Sequence, residues 1–411
     1  MAPICDSSST NLQLTEYDND ADESVCVFVG DGESKRDRLT VRKALRVVEY
    51  ATKTIQQLNN SKEYQAQKDK ASQPPQDVHH SQIEKGDLLG QGTFSDVFEI
   101  KSPSVEPIDP KRYVVKMLRE KMVNDAGLFA ACAAGLATEA AILSTLNHEN
   151  IIRVKAWSHR GVCGYSNGKN DAFFVVLDRL DEMLTDRFTG WKHQADKLRY
   201  SVRYRHLKMD QFFHSRLEVA KDLSAALAYL HGHRIIHRDI KPANIGFQNG
   251  TLKLLDFDIA RVLPKETEVG QHFNLTATTG TRPYMSPECG LAEPYNEKTD
   301  VYSFAILLNE IISLEKAFIS LSKREHELRV LRHGLRPSVP FSCPKHIRLL
   351  IQHSWAREID LRPSMKEIHE VLVNELQGAP IAEVGSPSGR RRLCFQPFKM
   401  LKIIPPATSI A

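Results

Sequence analysis

The sequence predicts an α+β protein of two lobes with a crevice between them. Three observations carry that reading. Composition is ordinary globular usage, 41% hydrophobic and 26% charged over 411 residues. Short β-rich segments then cluster between Ile83 and Leu180, and helical periodicity takes over beyond Leu180. A run of strands followed by a run of helices is the pattern of segregated α+β architecture, not of alternating βαβ units.

Taken in order, residues 1–82 read as an N-terminal extension. Residues 1–24 form an acidic, disordered tail, and Asp6, Glu16, Asp18, Asp20, Asp22 and Glu23 meet no Lys or Arg before residue 31. From Arg38 to Leu58, the residues Val41, Leu45, Val48, Ile55 and Leu58 fall at helical spacing, with Thr52 filling the gap. This amphipathic helix either docks on the chain's own body or dimerises as a short coiled coil. Three turns of stripe are fewer than a coiled coil needs, which favours docking. Residues 59–80 are polar, contain Pro74-Pro75 and read as a linker.

Strands are expected at Leu88–Leu89, Ser95–Ile100, Tyr113–Leu118, Arg153–Trp157 and Phe173–Leu177, interrupted by an alanine-rich helix at Leu128–Leu146. Helices follow at Ser215–His231, Thr299–Ser313, Lys345–Trp355 and Met365–Gln377. Residues 378–411 are a basic tail with Ser386-Pro387 and Arg390-Arg391-Arg392.

Several function classes are set aside at this level. The best apolar run, Val301–Leu314, is broken by Asn309 and Glu310, short of the roughly 18 or more residues of a membrane span. No apolar stretch follows Met1, and the acidic start is unlike a mitochondrial leader. The seven cysteines are scattered without a CxxC pair, which disfavours a disulfide framework or structural zinc and favours a reducing, cytoplasmic location. Nuclear entry stays open. The net charge of +4 hides basic blocks at Lys35–Arg46, Arg187–Lys208 and Arg390–Arg392. These read as solvated surfaces, and nucleic acid is not an expected partner, although Tyr200 and Tyr204 lie in the second block.

Chemistry enters with Gly90-Gln91-Gly92-Thr93-Phe94-Ser95-Asp96-Val97. Glycines two apart let a backbone turn approach phosphate oxygens. A strand follows, not a helix, so a dinucleotide-binding unit is not indicated. Lys116 sits inside the apolar strand Tyr113–Met117, where a lysine needs a carboxylate or a ligand phosphate. Glu139, in the alanine-rich helix, is an available partner. The strongest segment is His237-Arg238-Asp239-Ile240-Lys241-Pro242-Ala243-Asn244, followed by Asp256-Phe257. Two acids and an amide gathered by a tight loop make an oxygen-rich site for magnesium, and Asp239 is placed to accept a proton from a hydroxyl.

With these motifs in order, the chain resembles the eukaryotic protein kinase family from about Ile83 to Gln377. The match extends through His148-Glu149-Asn150-Ile151, Gly280-Thr281-Arg282-Pro283-Tyr284-Met285-Ser286-Pro287-Glu288, Asp300 and Arg362. The resemblance implies a two-lobed kinase fold. An N-lobe (83–180) has a small antiparallel sheet with one regulatory helix, and a larger C-lobe (181–377) is mainly helical. It also implies ATP and Mg²⁺. Gly90, Gly92, Phe94, Val97, Lys116, Asp178 and Leu180 would cradle the nucleotide, with Leu177 as gatekeeper. Asn244 and Asp256 would bind Mg²⁺ and Lys116 would pair with Glu139. Asp239 would orient the substrate hydroxyl and Lys241 would stabilise the γ-phosphoryl in flight. Glu288 and Arg362 would form a buried ion pair, Asp300 would anchor the loop, and His237, Phe257, Leu143 and Val154 would form the stack joining the lobes.

Lys241 and Thr281 follow the serine/threonine pattern, and the segments Asp300–Leu308, Gly334–Pro337 and Trp355–Ser364 resemble the tyrosine-kinase-like branch. The function implied is phosphorylation of Ser and Thr in protein substrates. A pseudokinase scaffold, binding nucleotide or partners without turnover, is the alternative, and a small-metabolite kinase is disfavoured by the complete Gly280–Glu288 segment.

Departures from the family pattern are Asp258 for glycine, Ser95 for the third loop glycine, Val114 for alanine and Gly246 for leucine. They imply an altered in/out flip at Asp258 and, with bulk added above the adenine slot at Val114 and removed below it at Gly246, a slot shifted rather than closed. The Asn124–Gly135 loop and the basic insert 185–213 exceed a minimal kinase, and the insert is either a docking element or a solvated surface. Arg238 calls for an anion, which an upstream kinase could supply on Thr276, Thr278 or Thr279.

Overall fold

The computed structural model describes residues 41–60, 64–65, 75–103, 108–199, 205–264 and 270–378. The acidic tail, Tyr200, Tyr204, Ser386-Pro387 and the Arg390–Arg392 run lie outside them.

A sheet forms because the strands between residues 76 and 178 alternate two apolar faces. Strands β1 (Gln76–Val78), β2 (Ile83–Gln91), β3 (Ser95–Pro103), β4 (Tyr113–Leu118), β5 (Val154–Ser158) and β6 (Phe174–Asp178) lie in the order β1-β5-β6-β4-β3-β2. All pairings are antiparallel except β1 with β5. In β4, Val115 and Met117 pack on one face with Ile100, Phe174 and Val176. Val114 and Leu118 pack on the other. Period-2 alternation therefore puts Lys116 on that second face, where the helix lies.

That helix, α2 (Ala126–Leu143), follows the N-terminal helix α1 (Val41–Asn59) in the chain. Asp125 caps α2, its carboxylate accepting from the N–H groups of Gly127 (2.9 Å) and Leu128 (3.0 Å). The expected Asn124–Gly135 loop is thus mostly helix, because the cap starts the first turn at Ala126 and the alanines sustain it.

Further expectations are corrected here. The fully buried stripe of α1 is Ala44, Val47, Ala51 and Ile55, with the expected Val48 and Leu58 packed partly buried against the same core, while Leu45 is exposed. Small residues let α1 approach an alanine-rich partner closely, so alanine outranks leucine at this seam. The 59–80 segment is not all linker, since β1 adds a parallel edge and Trp157 Nε1 donates to Asp77 at 2.6 Å. Finally, α2 is 18 residues long with mean hydropathy 1.7, enough by length and composition to cross a membrane, yet 67% of it is buried inside the protein. Buried free thiols occur at Cys132, Cys289 and Cys343, whereas Cys163 is disulfide-bonded, against the expectation from the scattered cysteines.

The second lobe is built on helices α3 (Leu184–Arg199), α4 (Arg205–Gly232), α5 (Lys298–Ser313), α6 (Lys345–Ser354) and α7 (Met365–Gln377). The 185–213 insert is consequently two helical segments, α3 and the start of α4, with Leu184 and Trp191 burying one face of α3. Short strands β7 (Glu182–Met183), β9 (Ile245–Gln248) and β10 (Thr251–Leu254) form one small sheet. β8 (Ile235–Ile236) and β11 (Arg261–Val262) form another. They hold the loops facing the first lobe.

His326 opens a π-helical stretch and is buried edge-on against Phe318, with neither ring nitrogen hydrogen-bonded among the described residues. Burial, reinforced by Arg282 and Arg336, lowers its pKa from 6.5 to about 4. The unfolded chain takes up a proton near pH 6.5 that the native state refuses until about pH 4, so stability falls as pH drops through that window. The loss reaches at most about 3 kcal/mol. His326→Phe is expected to flatten the fall of Tm between pH 7 and 5, and an unchanged profile would refute this account.

Candidate active site

The upper wall of the crevice is the β2–β3 hairpin. Gly90 pairs with Val97 and Gln91 with Asp96, and the Gly92 N–H closes the turn on Ser95 O at 2.7 Å. A Cβ at Gly92 would stand 3.0 Å from that carbonyl, so the turn favours glycine. Phe94 stays half-exposed at the tip.

Behind the hairpin, Lys116 Nζ lies 2.6 Å from Glu139 Oε2 and 3.0 Å from Asp256 Oδ1. Burial would lower the lysine pKa, but Asp256, Glu139 and Asp258 outweigh it and hold the ammonium charged, above its ordinary value. Burial likewise opposes the ionised form of Asp256, and Lys116 overcomes it, so that carboxyl sits below its usual range. Asp256 adopts φ 65°, a left-handed conformation that Asp tolerates better than most residues. Asp258 does not share it and needs none of glycine's freedom, which explains how it replaces glycine. Its carboxyl is pushed up to about 7, first by burial and then by Asp256. Gly135 of α2 leaves it room, since a Cβ there would touch Asp258 Cβ at 3.4 Å.

On the lower wall, Asp239 is held by four neighbouring groups. Lys241 Nζ donates to Oδ2 at 2.6 Å and Asn244 Nδ2 donates to Oδ2 at 3.0 Å. The Thr281 N–H and hydroxyl donate to Oδ1 at 2.9 and 2.7 Å. Lys241 also donates to the Thr281 hydroxyl at 2.9 Å. Thr281 reaches this loop because Gly280 turns at φ 97°, where a Cβ would collide with the Arg238 carbonyl. Beneath the loop, Asp300 on α5 accepts the N–H groups of His237 and Arg238, both at 2.8 Å, and lies 3.0 Å from His231 Nε2. Burial would raise the Asp300 pKa, but His231 and the loop hydrogen bonds hold it low.

The structure brings Lys116, Glu139 and Asp256 together, and Asp239, Lys241, Asn244 and Thr281 together on the facing wall. His237 meets Phe257 edge-on at 4.8 Å, with Leu143 buried and Val154 half-buried in the same core. Glu288 and Arg362 form a buried bidentate pair at 2.7 and 2.8 Å. Three features were not read in advance. Asp258 is a third carboxylate around Lys116, Tyr295 is a partner of Arg238, and Leu180 and Met183 fill the space opposite Gly246. Only Asp258 carried a signal, as an acid where the motif has glycine.

That filling corrects one expectation. The Gly246 substitution does not leave the lower side of the slot empty, because a Cβ there would meet Leu180 Cδ1 at 2.5 Å and Met183 Sδ at 3.2 Å. Above, Val114 pairs with Leu177 across β4 and β6 and is buried. Gly246→Leu is expected to cost about 1–3 kcal/mol through overpacking, seen as a lowered Tm that Leu180→Ala restores. A Gly246→Leu variant at least as stable as the parent would overturn this.

The donors present fit a nucleotide and magnesium. At the inter-lobe segment, Asp178, Arg179 and Asp181 donate their N–H groups to Arg153, Arg112 and Phe247. The Leu180 N–H has no partner among the described residues and is free to meet an adenine edge. Asn244 commits its amide nitrogen to Asp239, leaving Oδ1 for a cation beside the Asp256 carboxylate. One carboxylate and one amide, with phosphate oxygens completing the shell, suits Mg²⁺. Among the described residues no cluster of three or more His, Cys, Asp or Glu offers an all-protein metal cage.

A protein kinase domain profile matches residues 83–372. The chain is 38% identical over 172 residues to the serine/threonine-protein kinase STY17 of Arabidopsis thaliana, covering 42% of this chain and 28% of that protein. It is 28% identical over 316 residues to the dual specificity protein kinase shkD of Dictyostelium discoideum, covering 75% and 37%. To the serine/threonine-protein kinase Nek11 of Mus musculus it is 28% identical over 280 residues, covering 68% and 39%. The chain thus spans well under half the length of these relatives.

Proposed function

The chain belongs to the protein kinase family, and from that premise we propose that it transfers the γ-phosphate of Mg-ATP to Ser and Thr hydroxyls of protein substrates. The observation that best supports this is the Asp239 carboxylate held jointly by Lys241, Asn244 and Thr281 opposite the Lys116–Glu139 pair. A substrate hydroxyl placed at Asp239 gives up its proton there as its oxygen bonds to the γ-phosphorus. The bond from that phosphorus to the β–γ bridging oxygen breaks, and ADP leaves with the electron pair. Lys241 is positioned to balance charge on the phosphoryl group. Magnesium, when bound, supplies charge neutralisation at the phosphates, and Asn244 and Asp256 are the residues that would hold it.

Preference for Ser and Thr rests on the Lys241–Thr281 contact, and the likeness to STY17 agrees with the tyrosine-kinase-like branch. A pseudokinase is not favoured, because every acid, amide and lysine the reaction requires is present in a bonded arrangement. The test is Mg²⁺-dependent transfer of labelled phosphate from ATP to casein or myelin basic protein, with Asp239→Asn as control and phosphoamino-acid analysis of the product. Equal transfer by both proteins, or none by either when folded, defeats the proposal.

Activation by an upstream kinase is a second part of it. Arg238 now meets neutral oxygens, those of Ile259 and the Tyr295 hydroxyl, and Tyr295 in turn donates to Thr276 O at 2.8 Å. A phosphate on Thr276, Thr278 or Thr279 brings an anion to this edge. The triple alanine variant is expected to lose about 10-fold in kcat, the scale of one charge-assisted contact, and full activity would dispose of the idea. A cytoplasmic location completes the proposal. The buried free thiols support it, disulfide-bonded Cys163 weighs against it, and imaging of a tagged full chain decides.

A further inference from the structure

Helix α2 carries Glu139 and no other charged residue, and twelve of its residues are buried on several sides. A helix apolar all round needs cover on more than one face. The sheet covers one face, and α1 covers another with Ala44, Val47, Ala51 and Ile55, each fully buried. Beyond α1, Tyr64 is also fully buried, and its hydroxyl donates to Ala141 O at 3.0 Å, two residues from Glu139. These contacts all precede residue 83, where the kinase domain match begins.

We propose that α1 and Tyr64 are positioning elements of the active site, clamping α2 where Glu139 stays on Lys116. Helix α1 and Tyr64 then belong to the catalytic unit and set its activity through the placement of Glu139. The inference rests on the proposed kinase activity for its consequence, but the clamp itself is a property of α2 that can be read without turnover. Cys132 of α2 supplies that reading. It is buried and lines a cavity of about 170 Å³ with Phe94, Lys116, Glu139 and Asp258. Displacing α2 from the sheet opens this cavity.

The experiment uses the full chain carrying Ala51→Arg, which forces a long charged side chain into the seam. Two measurements are made, kcat for Mg-ATP and the rate of Cys132 alkylation, assigned by peptide mapping. Ala51→Arg is expected to lower kcat about 10-fold or more in the parent but scarcely at all in a Glu139→Gln background, since the pair it would disturb is already broken. Cys132 alkylation should rise by a similar factor. Losses that add in the double variant, or alkylation unchanged in folded Ala51→Arg protein, overturn the inference. Faster alkylation in a chain whose parent transfers no phosphate upholds the clamp and defeats the kinase reading alone. Should Ala51→Arg fail to fold, Tyr64→Phe, which removes one hydroxyl, enters the same cycle. A few-fold loss confined to the Glu139 background is then expected, and no loss or an additive one counts against the clamp.

Discussion

Asp239→Asn is expected to lower kcat by about 10²- to 10⁴-fold, the range a positioned general base contributes, while leaving the fold and the nucleotide site intact. The substitution is nearly isosteric. The asparagine oxygen can still accept from the Thr281 N–H and hydroxyl, which now reach Oδ1 at 2.9 and 2.7 Å. The new amide nitrogen replaces Oδ2, the atom that accepts from Lys241 and Asn244. Donor then faces donor, and Lys241 keeps only its bond to Thr281. A hydroxyl arriving at this position finds no base and a lysine less firmly placed. KM for ATP should change little, because Lys116 and Asp256 are untouched and Asn244 keeps its bond to the Asp239 backbone carbonyl at 2.9 Å. The measurement is steady-state kinetics with ATP varied, alongside thermal unfolding of both proteins. A kcat within about 10-fold of the parent would remove Asp239 from the chemistry as the base.

How much of this was legible follows from the range of the forces involved. Asp239, Lys241 and Asn244 sit within one short loop, so their spacing alone fixes which groups can meet. Lys116 was legible because a lysine in an apolar strand is costly unless paired, and Glu139 was its nearest offer in a buried helix. What lay hidden depends on packing between distant segments. Leucine scores higher than alanine on any hydrophobic scale, yet Leu45 is exposed and Ala44 and Ala51 are buried, because the face of α2 is itself alanine-rich. The floor at Gly246 was misread for the same reason, since Leu180 and Met183 reach it from another strand and loop. β1 escaped notice because three residues on a parallel edge carry no alternating pattern that composition could reveal.

The largest effect on stability is expected from Arg362→Ala. Arg362 and Glu288 are 1% and 2% exposed, and the guanidinium holds both carboxylate oxygens, at 2.7 and 2.8 Å. Its remaining donors reach the carbonyls of Ala356 (2.8 Å) and Lys298 (3.0 Å), and its plane lies over Tyr302. One side chain therefore ties the segment after the Thr281 loop to α5 and to the turn before α7. Burial disfavours a charged Glu288, and Arg362 foremost, with smaller help from Ser286 and a backbone N–H, offsets that and keeps its pKa low. Removing the arginine strands a carboxylate in the interior, at a cost of about 3–5 kcal/mol. For a domain of this size that is a fall in Tm of roughly 10 °C. Because the fault lies in the orphaned charge, Glu288→Gln combined with Arg362→Met should recover part of the loss. A double variant less stable than Arg362→Ala would mean that the pair's geometry matters more than its charge balance. A single variant within about 1 kcal/mol of the parent would mean that water reaches Glu288 and that the pair anchors nothing.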